Sequence, residues 1–237
     1  MSSPSSSRRS SAAAPSSRGE IATDGNGVWI AAWYREGFGG ADRDIVFARS
    51  SDAGLTWSAP AGLNTNWATD AGDDGRPRLV ADGAGQWVAV WYSEEMLVPP
   101  VGPDRDLLFA RSCDDGAHWT APAVLNENAY TDLGARDYGH EVALGANGSV
   151  LAAWYTTDNV GGTIGTERDI LMARAEIFVC GDADADADFD LYDFSLMQAC
   201  LGIALTETCV AFDFNADGTI ALDDYALLAT KLKGPQP

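Results

Sequence analysis

The chain is short of positive charge: 15 Lys and Arg stand against 35 Asp and Glu, a formal net charge of −20. Such a surface repels phosphate, which argues against nucleic acid and anionic lipid as partners and favours a soluble protein, a cation binder, or both. Long hydrophobic runs are missing too. No stretch reaches the roughly 20 apolar residues that a membrane helix needs. Histidine is scarce, His118 and His140 being the two, and no Cys-x-x-Cys occurs among Cys113, Cys180, Cys200 and Cys209. Neither histidine stands at ligand spacing from a cysteine, which argues against a zinc site. Four cysteines allow three pairings. Cys200 and Cys209 flank a short linker and can pair if the protein is exported.

The first 18 residues are Ser, Ala, Pro and Arg with no apolar core, so as written they are not a secretory leader. Their composition is that of a disordered tail. Because the rest of the chain reads as extracellular or cell-surface, the expectation is that the true N-terminus lies upstream of Met1. The alternative is a cytoplasmic protein with a floppy tail.

What is present is a repeat. Gly27-Val-Trp-Ile-Ala-Ala-Trp33-Tyr34, Gln86-Trp-Val-Ala-Val-Trp91-Tyr92 and Ser149-Val-Leu-Ala-Ala-Trp154-Tyr155 align. Each is followed by a loop and a second matching run: Asp42-Arg-Asp-Ile-Val-Phe-Ala-Arg49, Asp104-Arg-Asp-Leu-Leu-Phe-Ala-Arg111 and Glu167-Arg-Asp-Ile-Leu-Met-Ala-Arg174. Self-similarity at this period marks a repeat architecture. The runs are short, β-rich and bounded by turn residues, which predicts strands. Asp24-Gly-Asn-Gly27, Asp82-Gly-Ala-Gly85 and Gly145-Ala-Asn-Gly148 supply the residues that tolerate positive φ in hairpins. In the second repeat four strands are expected, over 76–81, 86–92, 106–112 and 117–125. A repeated four-stranded antiparallel unit is a propeller blade. Trp33, Trp91 and Trp154 are then expected to pack between blades.

A third element carries a family resemblance. Ser50-Ser-Asp52-Ala-Gly54-Leu-Thr56-Trp57 and Ser112-Cys-Asp114-Asp-Gly116-Ala-His118-Trp119 fit S-x-D-x-G-x-x-W, and so resemble the Asp-box, or BNR repeat, of sialidases and of many non-enzymatic propellers. In such a turn the Asp binds backbone amides, Gly takes the strained position and Trp packs beneath. The Asp-box is thus read as a staple of the fold, and its carboxylates as non-catalytic. It lies at the same blade end as the first-to-second turn. The opposite end, where propellers of this kind bind ligands, collects residues 35–43, 70–76, 94–105, 132–141 and 157–168.

Sialidases resembling this pattern clamp a carboxylate with three arginines and use a Tyr–Glu pair and an Asp in the chemistry. A bidentate guanidinium suits a carboxylate, and glycoside cleavage needs an acid with a nucleophile or base. The candidates here are Arg76, Arg78, Arg136, Asp137, Tyr138 and Glu141. The family's early Arg-Ile-Pro is replaced by Gly75-Arg-Pro-Arg78. Sialidase-like enzymes have six blades, whereas this chain offers two complete ones and a third without its Asp-box. A set of solvated loops is the competing reading of these polar residues.

The C-terminal part changes character. Asp182, Asp184, Asp186, Asp188, Asp190 and Asp193 fall at positions 1, 3, 5, 7, 9 and 12 of a loop. Asp213, Asn215, Asp217, Thr219, Ala221 and Asp224 repeat those positions. Ca²⁺ takes six to eight oxygens, and this spacing wraps the backbone so that side chains and one carbonyl converge. Position 8 is apolar in both loops, as Phe189 and Ile220. A helix is expected after each, over 191–201 with Phe194, Met197 and Leu201 on one side, and over 222–232. One helix per loop and Asp at position 12 resemble a dockerin, the module that plugs into cohesin domains of polysaccharide-degrading assemblies. Positions 10 and 11 are Leu191-Tyr192 and Leu222-Asp223, where cellulosomal dockerins often carry Ser-Thr.

The sequence therefore predicts a mainly β chain with a small α C-terminal module. A disordered tail (1–18) precedes two to three four-stranded blades of a partial Asp-box β-propeller (19–176), and a dockerin-like domain with paired calcium loop-helix motifs and two Ca²⁺ sites follows (177–237). The expected function is calcium-stabilised binding or attachment in extracellular polysaccharide breakdown, the alternative a fragment of an exo-sialidase-type glycoside hydrolase. The expected partners are a glycan, a cohesin-like protein and, through an unfinished propeller, a second copy of the chain.

Overall fold

The computed structural model describes residues 19–95, 104–130, 134, 136–145, 149–165, 167–176, 180–183, 190–203, 205–206 and 209–231. Among these the strands form three antiparallel sheets, each a simple meander. The first holds β1 (Glu20–Thr23), β2 (Trp29–Glu36), β3 (Arg43–Ser50) and β4 (Ala61–Gly62). The second holds β5 (Asp74–Ala81), β6 (Trp87–Ser93), β7 (Asp106–Ser112) and β8 (Ala123–Val124), and the third β9 (Tyr138–Leu144), β10 (Ser149–Thr156) and β11 (Asp169–Glu176). Two short helices follow, α1 (Leu191–Cys200) and α2 (Leu222–Lys231).

Side chains alternate between the two faces of a strand, and that alternation stacks the sheets. Ile30, Ala32, Ile45 and Phe47 of the first sheet meet Trp87, Ala89, Trp91 and Leu108 of the second in one core. Val88, Val90, Tyr92 and Leu107, on the opposite face of the second sheet, meet Val150, Ala152 and Trp154 of the third. The central strand β6 is consequently buried along its whole length. Trp91 and Trp154 fill these cores. Trp33 is half-buried instead, because its face turns away from the second sheet and no described sheet covers it. The far face of the third sheet is likewise open: Leu151, Ile170 and Met172 are 48%, 68% and 70% exposed.

The fourth strand of the second repeat is much shorter than expected. β8 covers only Ala123–Val124, since residues 117–122 complete the preceding turn and reach Pro122, which has no ladder donor.

That turn explains its own sequence. Asp114 accepts from Ser112 Oγ at 2.8 Å, from the His118 amide at 2.9 Å and pairs with His118 Nδ1 at 2.6 Å. Ser112 Oγ in turn accepts from Gly116 N at 2.9 Å, and Gly116 adopts φ 77°. The first-sheet copy repeats this with Ser50, Asp52, Gly54 and Thr56. Ala53 N and Asp115 N donate to Gly27 O and Gly85 O, so the first-to-second turn and the Ser-Asp-Gly-Trp turn share one end of each sheet. The tryptophans differ. Trp119 packs edge-on against Phe47 and is buried, whereas Trp57 is 39% exposed, because the first sheet has no described neighbour on that side.

Asp114→Ala should therefore cost about 1–3 kcal/mol, the loss of several hydrogen bonds at a buried acceptor, read as a lowered melting temperature. Asp52→Ala is expected to be milder, because that turn is open to solvent. The Asp52 carboxyl is held down to about 2, chiefly by the Thr56 hydroxyl, against an ordinary 3.8. Its contribution is therefore present above 3.8 and lost as pH falls through about 2.

The C-terminal segment has its own small core of Met197, Cys200, Cys209, Phe212, Phe214, Ile220 and Leu228. Cys200 takes the position the sequence assigns to Leu201, because the Cys200–Cys209 disulfide holds it inward and α1 stops there. Leu201 caps the helix with extended backbone and is 41% exposed. The other pair is Cys113–Cys180. It ties the turn of the second sheet to the start of the C-terminal segment, where Arg111 also donates to Val210 O at 3.2 Å.

Candidate functional site

The paired loops close in the same way. In the first, Asp193 at position 12 accepts from Ala183 N at 2.8 Å and from Asp190 N at 2.9 Å. In the second, Asp224 at position 12 accepts from Phe214 N and Ala221 N, each at 2.9 Å. In both, the last carboxylate spans the amides of positions 2 and 9 and folds the loop into a ring. The reason is local. Asp193 and Asp224 sit in the first turn of α1 and α2, where free amides and the helix dipole favour a carboxylate. Asp190 adds a reciprocal capping box with Asp193.

Within the second loop Asp213 accepts from Asp217 N at 3.1 Å and Gly218 N at 3.0 Å, and Gly218 at position 6 makes the turn with φ 87°. Asn215 donates to Asp217 at 3.2 Å, and Thr219 Oγ1 to Asp217 at 2.7 Å. The side chains of positions 1, 3, 5, 7 and 12 thus form one hydrogen-bonded set with the loop backbone. Burial raises the carboxyls of Asp213 and Asp224 above the ordinary value, while the Thr219 hydroxyl lowers Asp217. Asp182, at position 1 of the first loop, is buried. Asp184, Asp186 and Asp188 lie outside the described residues.

The residues proposed for sialidase chemistry are dispersed among other tasks. Arg78 donates to Glu141 at 2.9 and 3.1 Å and to Glu20 at 3.1 Å, so its guanidinium joins three strands. Arg76 is half-buried beside it at an irregularity in β5, with φ 54°. Arg136 is exposed, and the nearby Tyr138 hydroxyl raises its guanidinium above the ordinary value. Tyr138 stacks on Tyr155 with centroids 5.4 Å apart. Asp137 is fully buried, accepts from Asn126 Nδ2 at 3.0 Å and is raised to about 7 by burial. The structure therefore brings Arg78 to Glu141 and Arg136 to Tyr138, and withdraws Asp137 into the interior.

Sequence reading passed over one set of groups. Among the described residues, the one trio of carboxylates whose oxygens lie within 4.8 Å of one another is Asp42, Asp44 and Asp70. The repeated Asp-Arg-Asp at the head of β3 and β7 was its signal.

No protein-family model matches this chain, and no curated protein matches it. Solved structures similar to it include the Hadza microbial sialidase Hz136, at 16% identity and a TM-score of 0.48 over 67% of this chain and 34% of that one. The alpha-L-arabinanase of Penicillium chrysogenum is similar at 16% identity and a TM-score of 0.45, over 64% of this chain and 42% of that one. The polysaccharide lyase Uly1 is similar at 13% identity and a TM-score of 0.45, over 66% and 37%. The chain thus spans well under half the length of each. By its own geometry it is a mainly β protein of stacked antiparallel meander sheets with a two-helix C-terminal segment.

Proposed function

We propose that this chain is a calcium-binding attachment protein of extracellular carbohydrate breakdown. In this reading propeller blades carry a glycan-facing end, and a dockerin-like module binds two Ca²⁺ and docks on a cohesin-like partner. The matched closure of the two loops supports it most: Asp193 and Asp224 hold the same two amides, positions 2 and 9, at near-identical distances. An acidic tract without a task has no reason to repeat a ring at that accuracy. At the ligand-facing end, exposed Arg136 and the stacked Tyr138 and Tyr155 offer the polar and aromatic surfaces on which sugars rest. A catalytic role has less support, since Arg78 is spent on Glu20 and Glu141 and a carboxylate clamp needs free guanidinium donors.

The test is calorimetry of the full chain with Ca²⁺. Two heats are expected in the loops, one removed by Asp182→Ala and the other by Asp213→Ala. No heat sensitive to either substitution would refute the loop assignment. Turnover of a fluorogenic sialoside by the same protein would transfer the function to the hydrolase reading.

A further inference from the structure

The first sheet carries a second kind of candidate cation site, far in sequence from the paired loops. Asp42 and Asp44 stand at the head of β3. Asn64, Asn66 and Asp70 lie in the connection from β4 to β5, and Glu95 follows β6. All lie at the end of the sheets opposite the Ser-Asp-Gly-Trp turns. The connection is pinned by Trp67, which slots so closely between Gly39 and Gly62 that a Cβ on either would come within 2.3 Å of it.

Asp44 is fully buried; no hydrogen bond of good geometry reaches either carboxylate oxygen, and the nearest donors, the Asn64 amide and the Gly39 backbone, only partly offset the rise that burial causes. One of its carboxylate oxygens lies within 4.8 Å of a carboxylate oxygen of Asp42 and of one of Asp70. Asp42 Oδ2, Asp70 Oδ1, Asn64 Oδ1 and Asn66 Oδ1 are also buried without partners. The amide nitrogens of the two asparagines donate to Asp70 Oδ2 at 3.1 and 3.2 Å and, for Asn66, to Glu95. Six oxygens without hydrogen-bond partners therefore belong to these five residues, and one from each of the three carboxylates meets the others within 4.8 Å. Buried acceptors left unpaired are costly, and buried charges persist when they are paired or coordinate a metal. The charges that bear most on this group are other carboxylates: burial pushes Asp70 up to about 7, with Glu95, Asp44 and Asp42 adding, and burial with Asp42 raises Asp44. A proton is the competing remedy, but it satisfies one oxygen at a time.

We propose that Asp42, Asp44, Asp70, Asn64 and Asn66 form a divalent-cation site, best suited to Ca²⁺, that ties the first sheet to its connection with the second. Hard oxygen donors in this number, two of them amide carbonyls, fit the larger and more adaptable coordination of Ca²⁺ rather than the strict octahedron of Mg²⁺. The second repeat keeps Asp104, Asp106, Asn126 and Asn128 at the same intervals. There the Asn126 amide donates to Asp106, Asn128 and Asp137 at 2.9, 3.2 and 3.0 Å, and although Asp104, Asp106 and Asp137 also keep unpartnered oxygens, they form no trio within 4.8 Å among the described residues. The proposed site is therefore the first-repeat one alone.

The test uses the full chain carrying Asp182→Ala and Asp213→Ala, so that the loops no longer contribute. This protein is expected to bind one further Ca²⁺ by calorimetry and to melt at a higher temperature with Ca²⁺ than in chelator. Adding Asp44→Asn removes both the heat and the calcium-dependent rise. In chelator the same variant melts no lower than its parent, because a repelling charge has gone; a merely structural Asp44 would instead lower the melt in both conditions. Asp42→Asn, at a half-buried position, gives the same loss if Asp44→Asn folds poorly. Absence of calcium binding in the loop-disabled chain, or binding indifferent to both substitutions, overturns the site and leaves the protonated cluster. The paired-loop reading fails separately, through the heats that Asp182→Ala and Asp213→Ala remove.

Discussion

In excess chelator the helical signal of the C-terminal segment is expected to be lost while the three sheets persist, if the paired loops bind Ca²⁺ as proposed. The expected effect is large because the segment is small and crowded. Each Ca²⁺ site held at a hundredfold excess over its dissociation constant adds about 2.7 kcal/mol, so two sites add about 5 kcal/mol, comparable to the whole stability of a small domain. The core of Met197, Phe212, Phe214, Ile220 and Leu228 has little to set against the repulsion of Asp182, Asp190 and Asp193 in one loop and Asp213, Asp217 and Asp224 in the other. Circular dichroism with and without Ca²⁺ reads the outcome. Helicity that is unchanged in chelator, with no calcium heat, would remove calcium from the account of this segment.

Cys113→Ser with Cys180→Ser is expected to cost about 4 kcal/mol. The bond closes a span of 67 residues, and the entropy that such a link removes from the unfolded chain grows with its span. The loss should appear as a split melt. Cys113 joins the C-terminal core, and with the bond gone contacts such as Arg111 to Val210 O must hold the segment, so it is expected to unfold before the sheets. The Cys200–Cys209 bond spans only 9 residues, and its loss should matter less. A single melt at the wild-type temperature in the double serine variant would show that docking does not depend on the link.

Much of the fold was legible in the sequence because its causes are local. Strand alternation, the glycine and asparagine turns and the Ser-Asp-Gly-Trp motif act over a few residues, and β2, β3, β6 and β7 fall on the repeated runs. The fourth strand was overread because Pro122 and the turn bonds of Asp114 compete with pairing. Leu201 was misplaced because a disulfide, not helical periodicity, decided where α1 ends. The candidate catalytic groups had looked alike as polar loop residues. Their fates diverged through partners remote in sequence: Arg78 met Glu20 and Glu141, and Asp137 met Asn126.

The sequence by itself determined the repeated antiparallel meander, its Ser-Asp-Gly-Trp turn and the spacing of the paired loops, since each is written in residues that touch their near neighbours. Only the tertiary structure decided which carboxylates meet. Asp44 heads a strand, Asp70 lies in a connection and Glu95 follows a strand of the next sheet, so no window of sequence joins them. They converge because the apolar faces of the first two sheets pack together and Trp67 locks the connection against Gly39 and Gly62. Burial then strips these oxygens of water and turns ordinary acidic residues into a set that needs a cation or a proton.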